Sequence, residues 1–110
     1  MDQGEPARHD WSLISTHGIV LVFVAAYHTA TLREIAQAAG VTERQVARVV
    51  KDLTGAGLLQ LGRQGRRNTY RVNNDAFLRR PLLAHIKLER LISAVQPALA
   101  SAPQAHSMPE

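Results

Sequence analysis

The sequence predicts a mainly α-helical fold with one two-stranded β-hairpin, which is an α+β class. Apolar residues recur with the helical period of about 3.6 between Thr16 and Leu53, with the strand period of two between Leu59 and Val72, and with the helical period again from Leu82 to Val95. The 110 residues suffice for one domain with a modest core and are too few for two. We therefore expect a single domain in which three helices precede the hairpin and one follows it.

Both ends of the chain are predicted to be disordered. Residues 1–10 are polar, contain Gly and Pro and show no periodicity, which is typical of a mobile N-terminal arm. Residues 96–110 contain three prolines among small residues, so we expect no regular element there and a disordered C-terminal tail. The predicted domain then spans residues 11–95.

A first helix is predicted from about Thr16 to His28, with the hydroxyl of Ser15 or Thr16 capping its N-terminus. Its middle, IVLVFVAA, is apolar on every side. Such a helix is usually central to a core or shared with a second subunit. Because the run is far shorter than the roughly 20 residues that span a bilayer, we predict no membrane segment and no signal peptide.

Two short helices joined by a tight glycine turn are predicted next. The segment TLREIAQAAG opens with a capping box of Thr31 and Glu34 and closes at Gly40, where a left-handed residue is needed. The segment TERQVARVVKDLTGAG opens with a second box, Thr42 and Gln45, and closes at its two glycines. The apolar faces comprise Leu32, Ile35, Ala36 and Ala39 in one helix and Val46, Val49, Val50 and Leu53 in the other. This arrangement is a helix-turn-helix.

The hairpin is predicted from the change of period beyond Gly57. Apolar residues alternate with polar ones in both strands, with Gly62 and Gly65 allowing the turn between them. The residues expected to anchor the strands to the core are Leu59, Leu61, Tyr70 and Val72. A last amphipathic helix is expected to follow in LLAHIKLERLISAV, with Pro81 in its first turn.

The positive charge of the chain is local. The formal net charge is +4, yet residues 42–72 contain seven basic and two acidic side chains, a net charge of +5. A clustered positive field favours a polyanionic partner, because each neutralised phosphate releases condensed counterions. The alternative that charge alone leaves open is a solvated basic face.

The segment TLREIAQAAGVTERQVARVVKDLTGAGLLQLGRQGRRNTYRV resembles the DNA-binding core of winged helix-turn-helix transcriptional regulators of the MarR and ArsR type, particularly small bacterial ones. The resemblance covers about residues 13–95, and its AGLL junction followed by a basic GRRN-x-Y-x-V wing is the most specific part. It implies a winged helix-turn-helix fold whose N- and C-terminal helices are available for dimerisation. It also implies a homodimer that binds double-stranded DNA and reads a palindrome.

The second helix of the pair, about residues 43–55, is the predicted recognition helix. The major groove of B-DNA admits one α-helix, and there arginine can bind guanine and glutamine can bind adenine. The predicted DNA-binding residues of this helix are Thr42, Glu43, Arg44, Gln45 and Arg48. The predicted phosphate contacts are Thr31 and Lys51. Alternatively, Arg44 and Arg48 form a solvated face, although like charges at this spacing repel by a few tenths of a kcal/mol.

The hairpin over residues 58–72 is the predicted wing. Its guanidinium groups can bind the flanking phosphate backbone or a narrow minor groove, whose negative potential attracts arginine. The predicted DNA-binding residues of the wing are Arg63, Gln64, Arg66, Arg67 and Asn68.

A dimer interface is predicted because the first helix is too apolar for one small domain to cover readily and the last helix carries more apolar residues than a single stripe explains. The predicted interface residues lie just before the first helix and in the segment of the last helix. They are Trp11, Leu13, Leu83, Leu91, Ile92 and Val95. The alternative is that these residues only cover the core. The sequence identifies no small-molecule effector, and a chain this short leaves little volume for a ligand pocket.

Catalytic and metal-dependent functions are not expected. The chain has no cysteine, and its histidines, His9, His17, His28, His85 and His106, are scattered, so we predict no metal site and no cofactor. No nucleophile has a base beside it, so we predict no enzyme activity. The lack of cysteine favours the cytoplasm, with nucleoid association when DNA is bound. The alternative function is a winged-helix module that binds another protein, without specific DNA binding.

Overall fold

The computed structural model describes residues 13–101, with the side chains of residues 97–101 excepted. The predicted N-terminal arm, Trp11 and residues 102–110 lie outside this range. The chain forms α1 (Thr16–Ala26), α2 (Leu32–Ala39), α3 (Glu43–Gly55), β1 (Leu59–Gln64), β2 (Arg67–Val72), a short 3-10 turn (Pro81–Leu83) and α4 (Leu88–Ser101). Between residues 13 and 101, no helix has both the length and the apolar character needed to cross a membrane.

Helix α1 lies at the centre of the core. Ser15 caps it, because the Ser15 Oγ accepts a hydrogen bond of 3.1 Å from the Gly18 amide. Five consecutive residues, Val20 to Val24, are buried, and the helix packs against α2, α3, α4 and β2. One chain thus buries the middle of the apolar run, which is the first of the two alternatives, and the expectation that so small a domain does not cover it is wrong for Val20 to Val24. The helix ends at Ala26, two residues before the expected end.

Both predicted capping boxes are present in the helix-turn-helix. The Thr31 Oγ1 accepts from the Glu34 amide at 3.1 Å, and the Glu34 Oε1 accepts from the Thr31 amide at 2.8 Å. Thr42 and Gln45 make the equivalent pair at 3.1 and 2.9 Å. Gly40 ends α2 with φ of +72°, a left-handed conformation that costs glycine little. These local signals fix where α2 and α3 begin and how they are joined.

The two strands are antiparallel, with Leu59 opposite Val72 and Leu61 opposite Tyr70. Leu59 and Tyr70 are buried and Val72 is half-buried, but Leu61 is 48% exposed, so the prediction that Leu61 anchors the wing is wrong. α1 and the turn after it lie against β2 and cover Tyr70, whereas Leu61 on β1 remains largely uncovered.

The turn of the hairpin contains Gly65 and Arg66, with φ of +63° at Gly65. The sequence places Gly62 in the turn, but this residue lies within β1 opposite Thr69. A Cβ at residue 62 would lie 2.8 Å from the Thr69 Oγ1. The lack of a side chain at Gly62 therefore allows the Thr69 side chain to approach β1 closely.

The last helix begins later and ends later than predicted. The residues before it form a closed loop, because the Leu78 amide donates to the Ile86 carbonyl at 2.9 Å and the Leu88 amide donates to the Ala76 carbonyl at 2.6 Å. Leu82, 81% exposed, lies on the 3-10 turn of this loop and not on a buried helical face.

Helix α4 continues through Pro97 to Ser101, so the expectation of no regular element from residue 96 is wrong for its first six residues. The fixed φ of proline is compatible with a helix, although within a helix proline removes one backbone hydrogen bond and its ring crowds the carbonyl four residues earlier. Its described N-terminal half packs on the core through Leu88 and Ile92, which are buried. The core therefore lies between α1, α2, α3, the base of the hairpin and the first turns of α4. A helix-turn-helix followed by a two-stranded wing is a winged helix-turn-helix fold, as predicted.

Candidate nucleic-acid interface

The exposed face of α3 is a basic stripe. Val46, Val49, Val50 and Leu53 are buried on the opposite face. Arg44, Arg48 and Lys51 are exposed at spacings of four and three residues, so they lie along one face of the helix over about 10 Å, given a rise of about 1.5 Å per residue. No carboxylate of residues 13–101 forms an ion pair with any of the three. We call Arg44, Arg48 and Lys51 the basic stripe.

The N-terminus of α3 is occupied by its own cap. The Gln45 Oε1 accepts hydrogen bonds from both the Thr42 amide, at 2.9 Å, and the Thr42 Oγ1, at 3.1 Å. A bidentate contact to adenine uses the oxygen and the nitrogen of a glutamine amide together. In this conformation Gln45 cannot make that contact, so its predicted role requires the box to open. Glu43 and Arg44 are exposed beside it.

The predicted DNA-binding residues of the wing lie in different surroundings. Arg66 is exposed in the turn, next to the exposed Gln64 at the end of β1. The Arg63 Nη1 lies 3.5 Å from the Oδ1 of Asn68, its partner across the hairpin, which is half-buried. Arg67 begins β2, and its Nη1 donates to the backbone carbonyl of Thr29 in the turn between α1 and α2. The sequence brings these residues together as one cluster, but the fold gives them different partners.

The predicted phosphate contact Thr31 lies at the N-terminus of α2, exposed. Its oxygen accepts from the Glu34 amide, which leaves the hydroxyl proton able to donate to a phosphate. The Glu34 carboxylate lies at the same end of the helix and opposes an anion there. Thr31 is therefore a weaker site for phosphate than the basic stripe.

Several residues that hold the interface in place have no signal in the linear sequence. The Asn73 Nδ2 donates to the Gly57 carbonyl at 3.0 Å, and the Arg79 Nη2 donates to the Ala56 carbonyl at 2.7 Å, so both tie the chain after the wing to the C-terminal end of α3. The His17 Nε2 lies 2.8 Å from the Asp52 Oδ2 and joins α1 to α3. These partners are separated by 16 to 35 residues, which no periodicity reveals.

The predicted interface residues divide into exposed and buried ones. Leu13 is 89% exposed and Leu83 is also exposed, whereas Leu91 and Val95 are half-buried. Ile92 is buried in the core of its own chain, so for this residue the alternative of covering the core applies. The structure contains one chain and leaves the dimer a prediction.

An open cleft lies between β2, the end of α1 and α4. Its volume is about 570 Å³ and it is open to solvent. The expectation that the short chain leaves little volume for a ligand pocket concerns the dimer and stays a prediction. Polar side chains line much of the cleft, among them those of His28, Arg71, Glu89 and Gln96. Within residues 13–101, no three His, Asp or Glu side chains are grouped as a metal site would need, and His17 pairs with Asp52.

No protein-family model matches the chain, and no curated protein matches it. Among solved structures, the chain is similar to the homodimeric winged helix-turn-helix DNA-binding domain (fragment 1–100) of a possible ArsR-family transcriptional regulator from Mycobacterium bovis. The identity is 19%, 87% of this chain and 78% of that chain are covered, and the TM-score is 0.49. It is also similar to the zinc-dependent MarR family transcriptional regulator AdcR in its Zn(II)-bound state, at 23% identity, with 86% of this chain and 68% of that chain covered and a TM-score of 0.45. The first neighbour is thus a possible ArsR-family regulator and the second a MarR-family regulator.

Proposed function

We propose that this protein is a transcriptional regulator that binds double-stranded DNA in a sequence-specific manner as a homodimer. The observation that carries the proposal is the basic stripe of Arg44, Arg48 and Lys51, which is exposed and has no acidic partner in the described chain, directly followed by a basic wing. Cations left unpaired on a helix of this width are suited to the major groove, where phosphates line both edges. Binding, not catalysis, is the activity that this surface supports.

Arg44 and Arg48 are the proposed base-reading residues. They lie in the first two turns of α3, opposite the buried valines that anchor it, so the helix can enter the groove without losing its packing. A guanidinium group can bind the O6 and N7 of guanine together, and such a pair is worth about 1–3 kcal/mol of discrimination. Glu43 can accept from cytosine N4, while Lys51, further along, contacts phosphate.

The wing is proposed to contact the DNA backbone or the adjacent minor groove. Arg66 is at the tip, exposed, and two residues from Gln64, so these side chains can extend beyond the domain. A narrow minor groove attracts arginine through its negative potential, which lets a wing read groove shape without base contacts. Arg63 and Asn68 lie nearer to the domain and add backbone contacts.

Dimerisation is proposed to place two copies of α3 about 34 Å apart, one helical turn of DNA, so that the protein reads a palindrome. Apolar surface is available to a second subunit both before α1 and in the segment from the 3-10 turn to α4. It is contributed by Leu13 and Leu83, which are exposed, and by Leu91 and Val95, which are half-buried. Trp11 belongs to the same proposal. The compartment that fits this activity is the cytoplasm, with the protein on the nucleoid when DNA is bound.

Fluorescence anisotropy against fragments of the source genome and scrambled DNA, at several salt concentrations, tests the proposal. A regulator shows saturable, sequence-selective binding, and the logarithm of its affinity falls linearly with the logarithm of the salt concentration. Arg44→Ala and Arg48→Ala should each lose about 1–3 kcal/mol of discrimination at one base. Arg90→Ala is the matched control, since it removes the same charge from an exposed position on α4.

If the affinities for selected and scrambled DNA were equal at every salt concentration, the proposal of a sequence-specific regulator would be refuted. If the basic stripe bound an acidic protein and showed no preference among DNA sequences, the alternative function, a winged-helix module that binds another protein, would be established instead. Equal losses from Arg44→Ala and Arg90→Ala would contradict a role for α3.

A further inference from the structure

The wing is joined to the turn between α1 and α2 by two hydrogen bonds. The Tyr70 amide donates to the His28 carbonyl at 2.9 Å, and the Arg67 Nη1 donates to the carbonyl of the next residue, Thr29. We infer that Arg67 is a positioning residue, which holds the wing against this turn and makes no contact with DNA. The part of this inference that concerns DNA rests on the proposed function.

The two bonds act at separate points along β2. Residues 67 and 70 are three apart, so their Cα atoms are about 10 Å from each other at a rise of about 3.3 Å per residue. The Tyr70 hydrogen bond and the buried side chains of Leu59 and Tyr70 hold only the base of the hairpin. The bond made by the long side chain of Arg67 joins the tip end of β2 to the same turn and so limits movement of the hairpin beyond its base.

The same turn leads directly into α2. Thr29 is two residues before Thr31, the N-cap of α2 and a predicted phosphate contact. Arg67 therefore fixes the position of the wing relative to the N-terminus of α2. The wing tip with Arg66 and the start of α2 are then held as one body, which meets DNA at a set spacing.

Arg66 provides the matched comparison. It is the neighbour of Arg67 in the chain, carries the same charge, and is exposed at the turn. Its guanidinium has no hydrogen-bond partner among residues 13–101, whereas that of Arg67 has one. If both arginines contacted phosphate, removing either would have the same effect on the salt dependence of binding. If Arg67 only positions the wing, the two variants differ.

The experiment uses the full chain with Arg67→Ala, Arg67→Lys and Arg66→Ala. Amide hydrogen exchange at Tyr70, measured without DNA, should accelerate about fivefold in Arg67→Ala, which corresponds to the loss of one hydrogen bond worth about 1 kcal/mol. Arg66→Ala should leave that exchange rate unchanged. With a selected DNA fragment, Arg66→Ala should lower the salt slope by about 0.9, whereas Arg67→Ala should weaken binding at an unchanged slope. Hydroxyl-radical footprints should then lose only the protection at the wing.

Two results would overturn the inference: an unchanged Tyr70 exchange rate in Arg67→Ala, or a fall of about 0.9 in its salt slope. The inference would also be overturned if Arg67→Ala lowered the salt slope and Arg67→Lys restored both the slope and the affinity, because that result would identify a phosphate contact. If the wild-type chain selects no DNA, the proposed function fails. The exchange rate then decides by itself whether Arg67 holds the wing.

Discussion

Replacement of Tyr70 by phenylalanine is expected to stabilise the protein, although most substitutions in a core destabilise it. Tyr70 is 4% exposed, and its hydroxyl is buried without a hydrogen-bond partner in the described chain. In the unfolded chain the same hydroxyl is bonded to water. Folding therefore removes the hydroxyl group from water without supplying a partner among the described residues.

The expected gain follows from two opposing contributions. An unsatisfied buried polar group costs about 1–3 kcal/mol. Removal of one oxygen leaves a void of about 15 Å³, which costs about 0.4 kcal/mol at about 24 cal/mol per Å³. The net expectation is a gain of about 1 kcal/mol in the free energy of unfolding. For a domain of this size, that raises the melting temperature by about 4–8 °C.

Urea unfolding followed by far-ultraviolet circular dichroism, at one fixed protein concentration, measures this gain. The slope of the transition should not change, so the shift of its midpoint reports stability. Tyr27→Phe is the control. It removes a hydroxyl from an exposed residue and keeps the ring against Phe23, where the centroids are 4.8 Å apart, so it should bring no gain. A midpoint that is lower or unchanged in Tyr70→Phe would show that the hydroxyl has a partner, which refutes the reasoning.

The remaining predictions concern positions where two similar residues differ in environment, and the same unfolding measurement checks both. Gly65→Ala should destabilise the protein by about 1 kcal/mol, because φ is +63° at this residue. Gly55→Ala should stabilise it by about 0.4–1 kcal/mol, because Gly55 lies in α3 with open space around its Cβ position. Equal effects of the two substitutions would contradict a strained turn at Gly65. Leu59→Ala should cost about 2–5 kcal/mol because Leu59 is buried, whereas Leu61→Ala on the same strand should change stability by less than about 0.5 kcal/mol. A large loss at Leu61 would mean that a second subunit covers it.

The elements that the sequence predicts well are those set by neighbouring residues. The two capping boxes and Gly40 are local devices, in which a side chain or a left-handed residue satisfies backbone groups three or four positions away. The polar first turns of α3 and the change of period at the hairpin are equally local. For this reason the boundaries of α2 and α3 agree closely with the predicted ones, whereas β1 extends past Gly62, which the sequence places in the turn.

The errors lie where distant backbone groups compete with local preference. The spacing of apolar residues in LLAHIK is compatible with a helix. Hydrogen bonds between residues 76–78 and 86–88 nevertheless close this segment as a loop, so α4 begins only at Leu88. The pattern of Leu61 likewise matches that of Leu59, and only the placement of the helices decides that one is buried and the other exposed. Periodicity assigns a face to a residue but not the element that covers that face.

The same limit applies to the site. Residue types and charge predict a basic surface, and the start of α3 predicts which of its residues are exposed for contact with a partner. The sequence does not show which arginines hydrogen-bond within the fold. In the fold, Arg67 reaches a carbonyl 38 residues away and Arg79 one 23 residues away, so part of the positive charge is used to hold the wing and the recognition helix. Arg44, Arg48 and Lys51 have no such partner in the described chain. A bond to a neutral carbonyl leaves the charge of the guanidinium in place but restricts where it can reach, so fewer side chains are free to contact phosphate than the number of basic residues. A salt slope measures the number of such contacts, because each cation that reaches a phosphate contributes about 0.9 to it.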